Sequence, residues 1–246
     1  MKKTLLTSAL VLGMVSGANA FTINPYVGGA VSFNNTTVSD MERVIIDHLN
    51  PSSIGYSIKT GGDESFNSVR GYIAAGVEFP VEAAYGAFRT ELEIGLGQKK
   101  TVGLNANANI PEGDLTDVKI GATTFFLNAF YDFNATDKIK PYAGFGLGLA
   151  RVSADNMVWT NAPAGDNYIV QTGDKSFNNF AWNVGLGVAY SLTANVALDL
   201  GYRYTNMGKL ETTIEGFADG IGWATTDRIT ANLTSHEARF GARYTF

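Results

Sequence analysis

From residue 21 to the C-terminus, apolar side chains recur at every second position, a period that belongs to β-strands with one greasy face rather than to helices. The clearest run is 88–96. Phe88, Thr90, Leu92, Ile94 and Leu96 share one face, while Arg89, Glu91, Glu93 and Gly95 share the other. In 180–190, Phe180, Trp182, Val184, Leu186, Val188 and Tyr190 oppose Ala181, Asn183, Gly185, Gly187 and Ala189. In 196–204, Val196, Leu198, Leu200, Tyr202 and Tyr204 oppose Asp199, Gly201 and Arg203. At the end, Ala238, Phe240, Ala242, Tyr244 and Phe246 oppose Glu237, Arg239, Gly241 and Arg243. Four weaker runs, 23–33, 69–79, 120–133 and 142–152, bring the set to eight. In 120–133 the facing stays open, because Phe125, Phe126 and Phe130 fall on both parities.

The connections alternate too. Short ones (80–86, 134–140, 191–195) alternate with long ones (34–67, 99–117, 154–178, 206–232), which with an even strand count is the pattern of an outer-membrane barrel. A soluble β-sandwich is the competing architecture, since it also alternates. The charges decide between them. Six acids (Glu78, Glu91, Glu93, Asp132, Asp199, Glu237) and five arginines (Arg70, Arg89, Arg203, Arg239, Arg243) lie opposite the apolar faces, and none falls in the middle of an apolar face. A solvated sandwich face would carry Lys, whereas this one carries Arg, carboxylates and small residues, which suit an enclosed space where guanidinium and carboxylate pair. The apolar faces then point to lipid, where each Arg or Lys at the midplane costs about 2–4 kcal/mol. Phe79, Phe133, Tyr190, Tyr204 and Tyr244, at the ends of apolar faces, fit interfacial girdles. The expected fold is all-β: an eight-stranded antiparallel transmembrane β-barrel with long extracellular loops.

Ahead of the alternation, Lys2 and Lys3 precede an apolar stretch, 5–15, and Ala18-Asn19-Ala20. This predicts a signal peptide over 1–20, cleaved before Phe21, and a barrel domain over 21–246. Loss of the leader takes the net charge from −5 to −7. The chain has no Cys and two His, so thiolate zinc, disulfide scaffolds and Cys nucleophiles are excluded, and neither a metal nor another cofactor is expected. An acidic chain is also a poor nucleic-acid binder.

The C-terminal Arg239-Phe-Gly-Ala-Arg-Tyr-Thr-Phe246 resembles the terminal strand signal read by the outer-membrane assembly machinery, with Phe240, Tyr244 and Phe246 as its aromatic positions. Lys140-Pro-Tyr-Ala-Gly-Phe-Gly-Leu-Gly148 resembles the fifth strand of small barrels in the outer-membrane protein A and opacity-protein superfamily. The resemblance covers residues 21–246 in architecture and implies a surface barrel of the outer membrane. Because the chain stops at the barrel strand, no periplasmic peptidoglycan-binding domain is expected. The expected partners are the lipid bilayer, the barrel assembly machinery and a host or matrix ligand at the loops, around a monomer.

An eight-stranded barrel is filled by its own side chains, so the eleven charges predict a static lumen ion-pair network rather than a porin-like small-solute channel, which is the alternative. An enzyme is not expected. In Ser235-His236-Glu237 neighbours point to opposite faces of a strand, so no relay forms, and His236 belongs at the outer rim. His48 falls in the first long loop. The four loops hold roughly 100 residues, with 15 acids against 7 bases, and loops are where function concentrates. Ser39-Asp-Met-Glu42 has the form of a capping box and predicts a short helix over 40–49. Trp159, Tyr168, Phe217 and Trp223 would either contact a host surface or fold over the barrel mouth. The function so predicted is a surface protein for adhesion, host interaction or antigen display.

Overall fold

The computed structural model describes residues 23–47, 57–59, 63–81, 86–105, 115–160, 175–218 and 223–246. The predicted leader and His48 lie outside the described residues. Ten strand segments follow in order: β1 (Asn24–Asp47), β2 (Ser57–Lys59), β3 (Glu64–Val81), β4 (Gly86–Gly97), β5 (Lys100–Asn105), β6 (Leu115–Phe133), β7 (Ile139–Thr160), β8 (Lys175–Ser191), β9 (Val196–Ala218) and β10 (Trp223–Thr245). β2 and β3 both pair with β1, and β4 and β5 both pair with β6. These pairs are broken single staves, so the wall has eight. All pairings are antiparallel, and β10 against β1 closes the barrel, for example with Val31 opposite Phe240. Through the membrane part, closure leaves no unpaired sheet edge among the described residues, the condition for strands to cross lipid.

The short turns are held by local chemistry. In 192–195 the Thr193 hydroxyl accepts from the backbone N–H of Asn195 (3.2 Å) and of Val196 (3.0 Å). The Asn195 amide donates to the Thr245 carbonyl at 2.8 Å, tying this turn to the last strand.

Outside, the wall is apolar. On β8 the outward row runs Phe180, Trp182, Val184, Leu186, Val188, Tyr190, which at a tilt of about 40° covers roughly 26 Å, the height of a hydrocarbon core. β6, left open by the sequence, faces Phe125, Leu127 and Phe133 outward and Phe126, Asn128 and Asp132 inward.

The strands run much further than the eight sequence runs. The predicted 40–49 helix is not formed: Asp40 to Asp47 continue β1, paired with β10 and partly with β2. The register slips between Ser39 and Glu42, with Asp40 in the left-handed region (φ 49), a bulge that a capping-box pattern imitates. The long connections shrink likewise, since Trp159, Phe217 and Trp223 lie in β7, β9 and β10, while Tyr168 lies outside the described residues.

Candidate functional site

Two clusters of charge occupy the membrane part of the lumen, around a cavity of about 80 Å³. Nearer the short turns, Arg89 of β4 holds Asp132 of β6 in a fork, Nε to Oδ2 at 2.8 Å and Nη2 to Oδ1 at 3.0 Å. Arg243 of β10 reaches the same carboxylate at 3.5 Å. Glu91 accepts from the Tyr26 hydroxyl at 2.7 Å and from Asn128 Nδ2 at 3.3 Å, and lies 3.9 Å from Arg89. Phe130 and Tyr142 present ring faces to the Arg89 guanidinium.

The second cluster centres on Glu237, which is fully buried. Its carboxylate accepts from Tyr72 (2.8 Å), Thr205 (2.9 Å), Arg203 Nε (3.0 Å) and Arg70 Nη1 (3.3 Å). Glu93 takes Arg203 Nη1 at 2.6 Å on one oxygen and Arg239 Nη2 on the other. Arg203 and Arg239 both stack on the Tyr72 ring.

Nine of the eleven charges thus pair among the described residues. The other two stand apart. Glu78 is half-exposed near the turns, and Asp199 is half-buried with Oδ1 lacking a hydrogen-bond partner. Counting charges alone misses Tyr26, Tyr72, Asn128 and Thr205, which supply donors that carboxylates in an enclosed lumen require. For Tyr72, Asn128 and Thr205 the signal was parity, since each shares its strand's inward face with an Arg or an acid, whereas the inward face of β1 around Tyr26 carries no charge.

Above the ion pairs the polarity of the wall inverts. The inward positions become Val38, Met41, Val102, Val118, Ile120, Val152, Met207, Leu210 and Leu233, all buried in one cluster with Phe66 packed against it. The outward positions become polar: Asn35 bonds Asn67 at 3.0 Å and Thr37 bonds Ser65 at 3.0 Å across β1 and β3. Among the described residues an apolar layer therefore lies across the lumen at the loop end.

Ser235 faces inward, within 3.3 Å of Thr36 Oγ1, and Glu237 is in the ion network. His236 is outside the wall, between the rings of Tyr202 and Tyr204 and bonded through Nδ1 to the Tyr202 hydroxyl, with Trp182 against Tyr204. These four rings form an aromatic girdle where the apolar row ends. Tyr244 of β10 and the C-terminal Phe246 meet edge to face at the opposite end, and both are exposed, as is Phe240.

An apolar outer belt, aromatic rims, a closed antiparallel wall and a paired polar interior define an integral β-barrel of the outer membrane. The chain belongs to the outer membrane protein β-barrel domain family, whose model matches residues 4–246. It is 36% identical over 100 residues to outer membrane protein PagN of Salmonella typhimurium, covering 41% of this chain and 40% of that protein. It is 35% identical over 138 residues to opacity protein opA60 of Neisseria gonorrhoeae, covering 49% and 50%. The chain thus spans half or less of the length of these relatives. Among solved structures it is similar to Neisserial surface protein A, with 22% identity, a TM-score of 0.47, and 90% and 97% of the two chains covered.

Proposed function

We propose that the barrel is a static pedestal whose loop end contacts a host surface, matrix or neighbouring cell, or is displayed as a variable antigen. The observation that carries this reading is the inverted wall above the apolar belt: strands that only spanned lipid would stop at the girdle, whereas these continue around an apolar core of their own. A packed extension presents its connecting segments on a rigid base, which lowers the ordering cost of binding. The likeness to PagN, an outer membrane protein by name, agrees with display outside the cell.

The same reading assigns residues 1–20 to an export signal, Phe240, Tyr244 and Phe246 to recognition by the assembly machinery, and the chain to a monomer with both termini in the periplasm. It assigns no catalysis, since Ser235 and His236 sit on opposite sides of the wall. It also assigns no conduction, because an apolar cap and an ion-paired layer stand in series.

The test removes residues 48–56, 106–114, 161–174 and 219–222 one segment at a time and measures the heat-modifiable gel shift and cell adhesion of each variant. At least one deletion is expected to assemble normally and lose adhesion. If all four assemble and adhesion never changes, the contact reading fails.

A further inference from the structure

The charges at the loop end are not evenly spread. Among the described side chains, acids gather on the β1 and β3 side (Asp40, Glu42, Asp63, Glu64), while Lys99, Lys100, Lys119 and Arg151 gather around β4 to β7. On the outward faces of β6 and β7 the last apolar pair in register is Phe125 opposite Leu149. The next outward pair is Thr123 opposite Arg151, then Gly121 opposite Ser153, and Lys119 follows on the outward face of β6. Lys119 also faces Thr101 of β5. A Cβ at Gly121 would meet Lys99 Cγ at 2.7 Å and Ser153 Oγ at 3.2 Å, so the Lys99 stem lies across the bare glycine. Same-face neighbours on a strand are about 7 Å apart and cross-strand diagonals about 7–8 Å, so all three cations converge on the Gly121 to Ser153 pair.

We propose that this outward face binds the phosphate of an outer-leaflet lipid, with Lys119 and Arg151 as the principal ligands, Lys99 beside them, and the lipid's acyl chains against Phe125, Leu149 and Phe180. The cations begin one outward pair above the apolar belt, the level of the headgroups. Thr101, Thr123 and Ser153 surround them with hydroxyl donors. Three cations gather here on a chain of net charge −5. A soluble polyanion would meet the acidic field of the whole protein, while a lipid held by its chains reaches the cations directly. This inference is independent of the contact reading above, because it concerns the wall and not the loop tips.

Native mass spectrometry of the folded full chain in detergent tests it with a diphosphorylated glucosamine glycolipid and its dephosphorylated counterpart of identical acyl chains. The unmodified protein is expected to retain the phosphorylated lipid about tenfold more. Lys119→Glu with Arg151→Glu is expected to abolish that preference, and Lys209→Glu, an exposed lysine of β9, to leave it unchanged. Folding is read from the heat-modifiable shift. If the reversal does not fold, Lys119→Gln with Arg151→Gln decides, with an expected loss of about threefold or more. A preference that survives either folded pair overturns the proposal. So does displacement of the lipid by roughly 10 mM inorganic phosphate, since the ligand would then be a free anion.

Discussion

Arg203 of β9 bridges the full width of the lumen, its Nη1 lying 2.6 Å from Glu93 of β4 on the opposite wall while its Nε holds Glu237 of the adjacent β10 at 3.0 Å. β4 and β9 stand four staves apart in a ring of eight, so this one guanidinium ties the barrel across its diameter. Arg203→Ala would leave two buried carboxylates with fewer partners in a space that solvates them poorly. The expected loss is about 3–5 kcal/mol of unfolding free energy, read as a lower denaturant midpoint in folded micelles. By contrast, Asp199→Asn is expected to change stability by no more than about 0.5 kcal/mol, because Asp199 joins no ion pair among the described residues.

Small residues matter in the lumen because they let polar side chains meet over them. Asn128 of β6, Gly146 of β7 and Asn183 of β8 stand in register, and Asn183 Nδ2 donates to Asn128 Oδ1 at 3.0 Å across the glycine. A Cβ at Gly146 would occupy the space of both amides. Gly146→Ala is expected to break this bond and cost about 1–3 kcal/mol, with the amide proton shifts of both asparagines changing together in NMR spectra.

The membrane part of the wall was legible because polarity and parity agree there. Along β7, Phe145, Leu147 and Leu149 point out while Tyr142, Gly144 and Gly146 point in, and every charge placed in the lumen from sequence has an inward parity. Two residues further the code reverses. Arg151 and Ser153 point out while Val152 and Ala154 point in, on the same unbroken parity. A reading that takes the apolar face as the lipid face sees the alternation fail at this point and ends the strand. Bulges compound the error. At Asp40 and at Gly208 (φ 78) an extra residue shifts the parity, so that Val38 and Met41, and Met207 and Leu210, both face the interior. The pairing within the lumen was not legible at all, because it depends on which staves lie across from each other, as β4 and β9 do.

The bulge in β1 gives a separable test. Asp40 has φ 49 and its Oδ2 accepts from Asn232 Nδ2 of β10 at 2.7 Å. Asp tolerates the left-handed region better than Ala, and Gly adopts it without penalty. Asp40→Ala is expected to cost about 1–2 kcal/mol and Asp40→Gly less, an order that reverses the ordinary strand preference for Ala over Gly. Equal losses in the two unfolding curves would mean the side-chain bond alone matters at this position.

Two layers lie in series along the lumen, and they differ in kind. The apolar layer of Val38, Met207, Leu210 and Leu233 excludes water because its side chains are apolar, with Arg70 Nη2 meeting the Met207 sulfur at 3.6 Å from below. On the static reading, the layer beneath excludes ions because its charges already hold one another, as Arg203 holds Glu93 and Glu237. Cutting back the first leaves the second intact. Leu210→Ala and Leu233→Ala are each expected to cost about 2–5 kcal/mol through the cavity they create. Neither is expected to produce conductance in planar bilayers, and the unmodified protein is expected to give none. Stable, reproducible current steps from monomeric unmodified protein would overturn the static reading in favour of a small-solute path. Steps appearing only in Leu210→Ala or Leu233→Ala would instead place the whole seal in the apolar layer, with the ion pairs serving stability alone.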